Sequence, residues 1–349
     1  MTQSPRPPLV MFCARRSAPA SPPGRDAGDG LHQVAYDLNV SLRWDAPELQ
    51  VAGDTARMRS YRLLQSWYRE VVLNARPGTY RPRGQPERPL GSPLHREDVA
   101  VRPGLNFLSP EIGDYARSRA AAVVEGGGTL DVDRLDHNML SSMPMCFNLF
   151  GMLRSTPAGQ LPLVRACFDT TAEAVELIEC EWVPEHPAST LSDRTAFDAA
   201  IVTRRSDGSR HLIAIETKYT EPFSQTRYGA RSHDAGKYLG MHGASGWFQH
   251  ESHDELTGSA TNQLWRNSLL AASAERSGEV DSASVVVVAL SDDRHAQSAV
   301  AGVTAAMVDS GRCRSVPLEV VVREAKAVDV LRSWAIEFER RYLDLSAVR

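Results

Sequence analysis

Two apolar runs, about 196–205 and 210–218, flank the tetrapeptide Ser206-Asp207-Gly208-Ser209. Short β-branched runs on either side of a Ser/Asp/Gly turn signal predict a β-hairpin, so the chain must build an antiparallel sheet around this point. The turn length then decides which side chains face each other, because strand side chains alternate between faces. A two-residue Asp207-Gly208 turn sets Asp198 opposite Thr217. A three-residue loop, Ser206-Asp207-Gly208, sets Asp198 opposite Glu216 on one face. Such loops want glycine in the left-handed conformation at their third position, and Gly208 stands there, so the three-residue loop is predicted. Glu216 and Lys218, two residues apart, share that face. Two acids and a lysine at the end of an apolar strand are costly to bury unless they pair or hold a metal.

The rest of the 349-residue chain reads as a mixed α/β protein. The hydrophobic content of 42% and charged content of 23% allow a sizeable core and exclude wholesale disorder. The strongly apolar run near 285–290 is far short of the roughly 20 residues that cross a bilayer. Prolines and arginines interrupt each short apolar stretch at the N-terminus, which fits no signal-peptide pattern. The cysteines (Cys13, Cys146, Cys167, Cys180, Cys313) are scattered, with no CxxC pair, which argues against a disulfide framework or a thiolate zinc site. A cytoplasmic protein is expected. Of the 39 basic residues, all are arginine except Lys218, Lys237 and Lys326. A lysine therefore marks a place where a compact point charge suits better than a planar fork.

Residues 1–30 are proline- and arginine-rich and are expected to form a disordered tail, with a helical and proline-rich extension over 31–104 and a main domain over 105–349. In the extension, apolar periodicity predicts a helix from an Asp54 N-cap to before Pro77, followed by an irregular wrap over 77–110. Ser109-Pro110-Glu111 reads as an N-cap with proline at the first helical position, opening a helix to about Val124 that Gly126-Gly127-Gly128 ends. A buried helical segment kinked at Pro144 is expected over 133–153. Strands follow at about 174–183, 196–205 and 210–218, then a long polar loop over 219–258, a helix over 260–276 and a buried strand over 284–290. A helix at 295–309, a strand at 317–322 and an amphipathic helix at 326–343 complete the reading.

Asp198, then Glu216-Thr217-Lys218, on adjacent strands of an α-β-β-β-α-β order, resembles the PD-(D/E)XK nuclease superfamily. The resemblance covers roughly residues 105–291. The wording of residues 138–151 and 215–221 is similar to an uncharacterised bacterial branch. Phe197 stands where the superfamily's name has proline. The resemblance implies a restriction-endonuclease-like core: a small mixed sheet flanked by helices, carrying a phosphodiesterase site. Asp198 and Glu216 would bind Mg²⁺ or Mn²⁺ through hard oxygen ligands, with the Thr217 carbonyl as a third protein ligand. Lys218 would orient or deprotonate the attacking water and stabilise negative charge. Gln263 matches a glutamine that several branches carry on the helix after this strand; Gln263, Arg266 and Asn267 share one helix face.

Other residues carry weaker signals. Arg227, Tyr228, Arg231 and Arg266 are candidate contacts to phosphates or bases. Glu179 and Glu181 alternate on the strand before Asp198, close enough to reach the site, and read first as a solvated strand face. Glu111 and Glu125 are available as the helix glutamate that many superfamily members use, and spacing selects neither. His233, His242, His250 and His253 lack the cysteines or HExxH motif of a zinc site. The expected partner is nucleic acid, DNA before RNA. At a net charge of −4 the chain needs a local basic face, and arginines outnumber acids over residues 1–120. A homodimer would suit a double-strand cut. The competing reading is a catalytically silent module that kept the fold for nucleic-acid binding or regulation.

Overall fold

The computed structural model of the chain describes residues 49–81, 84–185, 191, 195–224, 226–227 and 232–349. The tail expected at 1–30 and the start of the extension lie outside the described residues, as do Tyr228 and Arg231. In chain order, the elements used below are α1 (Ala56–Trp67), β1 (Pro77–Tyr80), β2 (Arg88–Leu94), α2 (Pro110–Glu125), α3 (Pro157–Cys167), β3 (Ala172–Trp182), β4 (Phe197–Arg205) and β5 (Arg210–Thr217). They continue with α4 (Ser232–Ser245), α5 (Asn262–Arg276), β6 (Ser282–Ala289), α6 (Arg294–Ala306), β7 (Cys313–Pro317), α7 (Leu318–Ala327) and α8 (Arg332–Tyr342).

The β4–β5 hairpin has the three-residue loop. Its ladder runs from Arg204 opposite Arg210 to Ala199 opposite Ile215, which carries Asp198 opposite Glu216. Gly208 sits at φ +83°, a conformation glycine adopts without the steric cost a Cβ brings. β3 adds antiparallel to β4, and β6 and β7 add parallel beyond β5, giving one sheet in the order β3-β4-β5-β6-β7. The parallel β5–β6 pair requires a crossover, which α4 and α5 supply. Alternation divides the sheet. Ala200, Val202, Leu212, Ala214, Val285 and Val287 join the core under α5, with Leu264, Leu269 and Ala272. Asp198, Glu216 and Lys218 fall on the same alternation, so the polar end of the hairpin meets the start of α5.

Several elements differ from the sequence reading. The N-cap of α1 is Thr55, whose Oγ1 accepts from Met58 N at 3.2 Å; Asp54 instead pairs with the buried Arg62. Pro77–Tyr80 and Arg88–Leu94 pair as the antiparallel strands β1 and β2, where an irregular wrap was expected. Residues 132–155 are a chain of short helical pieces, and Pro144 lies in the first turn of Ser142–Cys146, where its missing N–H has no intrahelical acceptor to lose. α3 lies where no element was predicted. The loop expected over 219–258 contains α4 and the helical turn His253–Leu256. The strand expected at 317–322 ends at Pro317, and Leu318 opens α7; a turn at Asp329–Leu331 then separates α7 from α8. The helix predicted from Ser109 is present: its hydroxyl accepts from Ile112 N, and Gly126 caps the far end. No helix among the described residues is long and apolar enough to cross a membrane.

Candidate active site

Phe197, in the position before Asp198, is fully buried and stacks on Trp182 with ring centroids 5.9 Å apart, which pins the start of β4. One residue on, Asp198 turns its carboxylate across the hairpin. Its Oδ2 accepts from Thr217 N at 2.7 Å and from Thr217 Oγ1 at 2.8 Å, so the peptide of Thr217 bonds a side chain instead of extending the ladder. The thiol of Cys146 donates to the Asp198 carbonyl at 3.2 Å, one of the contacts that tie the helical piece Ser142–Cys146 to β4.

Glu216 is 2% exposed, and both of its oxygens are engaged. Oε1 accepts from Lys218 Nζ at 2.5 Å and from Gln263 Nε2 at 2.6 Å, while Oε2 accepts from Asn267 Nδ2 at 2.7 Å. Gln263 and Asn267 are one helical turn apart at the start of α5, so one helix face grips one carboxylate. Gln263 Oε1 in turn accepts from Ser224 N at 2.8 Å, which fixes which end of the amide faces Glu216. Lys218 Nζ lies 4.8 Å from the centre of the Phe223 ring.

Burial, and then the charge of Asp198, push the Glu216 carboxyl up to about 7, against the pull of Lys218 and Asn267. Burial works against the Lys218 ammonium, but the Glu216 and Asp198 carboxylates outweigh it and hold its pKa above the ordinary lysine value. The lysine is therefore a fixed cation and a hydrogen-bond donor in this arrangement. Glu221, just beyond it, accepts from Ser142 N at 2.8 Å and from Arg134 at 3.2 Å, anchoring the exit of β5 to the same helical piece that touches Asp198.

A family model of the PD-(D/E)XK nuclease superfamily matches residues 52–344. The chain belongs to that superfamily. The match begins well before the span over which the sequence alone resembles these nucleases, and it takes in α1 and the β1–β2 hairpin. No curated protein and no solved structure matches the chain.

In this PD-(D/E)XK protein a cavity of about 630 Å³ opens beside the acids, lined by Glu181, Gln263, Arg266 and Asn267 together with Arg119 and Ser224. Arg266 is thus in the cavity wall, where it bonds Thr195 Oγ1. Arg227 is not among the lining residues; its Nε donates to the Thr257 carbonyl at 3.0 Å. Glu111 and Glu125 are exposed at the two ends of α2. Glu179 pairs with Arg119 at 2.8 Å.

Glu181 departs from the solvated face expected of it. It lies level with Asp198 in the β3–β4 register, and burial followed by the charges of Asp198 and Glu216 pushes its carboxyl up to about 8. Asn267 and Glu181 are the residues that sequence reasoning left unassigned. Asn267 had a signal, since it shares the face of Gln263.

Among the described residues no three His, Cys, Asp or Glu side chains already converge as a metal cluster. The donors on offer beside Lys218 are two carboxylates opposed across a hairpin and the Thr217 carbonyl between them. These are hard oxygen donors, the set that suits Mg²⁺ or Mn²⁺ and not a soft thiolate-seeking ion. Asp198 Oδ1 accepts no hydrogen bond among the described residues, which leaves a lone pair for a cation.

Proposed function

We propose that the chain is a divalent-metal-dependent nuclease that hydrolyses phosphodiester bonds in DNA, with Asp198, Glu216 and the Thr217 carbonyl as metal ligands. The observation that carries this reading is the opposition of Asp198 and Glu216 across β4 and β5, with Lys218 Nζ held 2.5 Å from Glu216. A Mg²⁺ or Mn²⁺ ion bound there supplies positive charge against the phosphate and makes a coordinated water more acidic.

The side chains have separable tasks. Lys218 keeps its proton and donates from Nζ, so it orients the attacking water and stabilises the negative phosphate oxygen; it is not the base in this arrangement. Gln263 and Asn267 hold Glu216 in one rotamer, and Gln263 also keeps the segment after Phe223 in place through Ser224. Arg266, in the cavity wall, is positioned to meet a phosphate flanking the scissile bond. A homodimer would let two such sites cut both strands.

One observation favours a second reading. Both oxygens of Glu216 are already satisfied by the protein, as they would be in a silent module that kept the fold for nucleic-acid binding. Cleavage of supercoiled plasmid and of single-stranded DNA in Mg²⁺ or Mn²⁺ separates the two. The expected result is metal-dependent cutting by the wild type and a loss of at least about 100-fold in Asp198→Asn and in Lys218→Ala. Binding of DNA without turnover in either metal, by a folded protein, would leave the silent module standing.

A further inference from the structure

Glu181 is the one acid at the site whose backbone is strained. Its φ is +52°, a region that non-glycine residues seldom adopt and that persists only where the surroundings impose it. Here the surroundings do. Arg119, reaching over from α2, donates Nε to the Cys180 carbonyl at 2.9 Å and a terminal nitrogen to the Glu181 carbonyl at 2.8 Å. The register on either side is intact, with Cys180 opposite Ala199 and Trp182 opposite Phe197, so no residue has been inserted to relieve a mismatch. The strain is local, and the residue stays level with Asp198 across the β3–β4 pair.

That side chain enters the wall of the 630 Å³ cavity beside Gln263 and Asn267, the two residues that hold Glu216. Asp198, Glu216 and Lys218 are not themselves lining residues of the cavity. Glu181, level with Asp198 in the β3–β4 register, is the acid of the site that lines this space. The residue is half-buried, and its carboxylate makes no hydrogen bond and no ion pair among the described residues. Arg119 is spent on Glu179 and on the strand carbonyls. Glu181 thus adds a third negative charge beside the Asp198–Glu216 pair, which a divalent cation would neutralise.

We propose that Glu181 is the third carboxylate of the metal centre, on the side that faces the substrate cavity. It comes from the strand before Asp198, and the glutamates of α2 have no part in the site. The inference rests on the nuclease reading above and adds a ligand to it.

The test is Mn²⁺ titration of the full chain, following the signal of free Mn²⁺ by electron paramagnetic resonance. The proteins compared are wild type, Glu181→Gln, Glu181→Asp and Glu173→Gln, an exposed glutamate at the other end of β3. The expected result is Mn²⁺ affinity at least about tenfold weaker in Glu181→Gln, weaker also in Glu181→Asp, and unchanged in Glu173→Gln, with cooperative melts throughout. Full affinity in either folded Glu181 variant overturns the inference while leaving Asp198 and Glu216 as ligands. A wild type that binds no Mn²⁺ overturns both this inference and the nuclease reading on which it rests.

Discussion

Glu216 and Lys218 are removed from water together, and each is tolerable only because of the other. A buried pair gains from mutual attraction but loses two hydration shells, so removing one partner is far worse than removing both. Lys218→Met leaves the Glu216 carboxylate with only the amides of Gln263 and Asn267. Glu216→Gln leaves an ammonium that is 6% exposed with no carboxylate in contact. Each single change should lower unfolding free energy by about 3–5 kcal/mol, and the double variant should recover most of that loss while losing cleavage. Urea unfolding of the four proteins checks it; additive losses would mean the pair is not coupled. The sequence made this pair legible because a two-residue spacing on a strand fixes a shared face, and Gly208 fixed the register that brings Asp198 to it. Gln263 was reached through the resemblance to the superfamily, and helical spacing added only the face it shares with Arg266 and Asn267. Glu181 was legible only as the lesser of two readings, because alternation groups it with Glu179 and the β3–β4 register that sets it level with Asp198 cannot be read from one strand.

At the scale of elements, the seam between β5 and β6 carries a pH dependence of its own. His211 is buried, with its ring nitrogens at 2.8 Å from Ser282 Oγ and 3.0 Å from Ser284 Oγ. A neutral ring donates to one hydroxyl and accepts from the other, so both are satisfied without charge. Burial, then the nearby Arg205 guanidinium, lower its pKa to about 4 from the ordinary 6.5. Between those values the unfolded chain takes up a proton that the fold excludes, so stability is full above pH 6.5 and is lost as pH falls towards 4. The loss is on the order of 3 kcal/mol. Urea midpoints at pH 7 and pH 4.5 should fall more steeply for the wild type than for His211→Gln; parallel slopes would place the acid sensitivity elsewhere. The elements that escaped the sequence reading share a cause. Prolines in β1 and β2 hide a hairpin, Gly236, Gly240 and Gly243 make α4 look like a loop, and the consecutive valines of α7 read as strand although Val321 and Val322 belong to a buried helix face with Leu318 and Ala325.

At the scale of the molecule, α1 and α8 belong to the architecture that holds the hairpin, although they lie near opposite ends of the sequence. Tyr219 directly follows Lys218 and is fully buried. Its hydroxyl donates to the Tyr342 carbonyl at 3.0 Å and accepts from Gln65 Nε2 at 3.1 Å, while Gln65 Nε2 also donates to the Arg341 carbonyl at 2.7 Å. Arg341, fully buried beside the Tyr68 and Tyr342 rings, donates to the Asn106 carbonyl at 2.8 Å. The chain after Lys218 is thus bonded to α1 and to α8 at one point. Tyr219→Phe removes a donor and an acceptor at once and leaves the Tyr342 carbonyl without that bond. The cost should be about 1–3 kcal/mol in unfolding free energy, with a cooperative transition retained. If the contact also positions Lys218, kcat should fall severalfold with KM nearly unchanged, since nothing at Tyr219 touches the cavity. Loss of stability with unaltered kcat would limit the contact to holding the fold. A chain beginning at residue 77 is the severer case: it removes Gln65 together with Tyr68 and Ala75 from the core they form with Leu94, Val99 and Met139. That chain should show no cooperative melt, which agrees with a superfamily match that starts at residue 52.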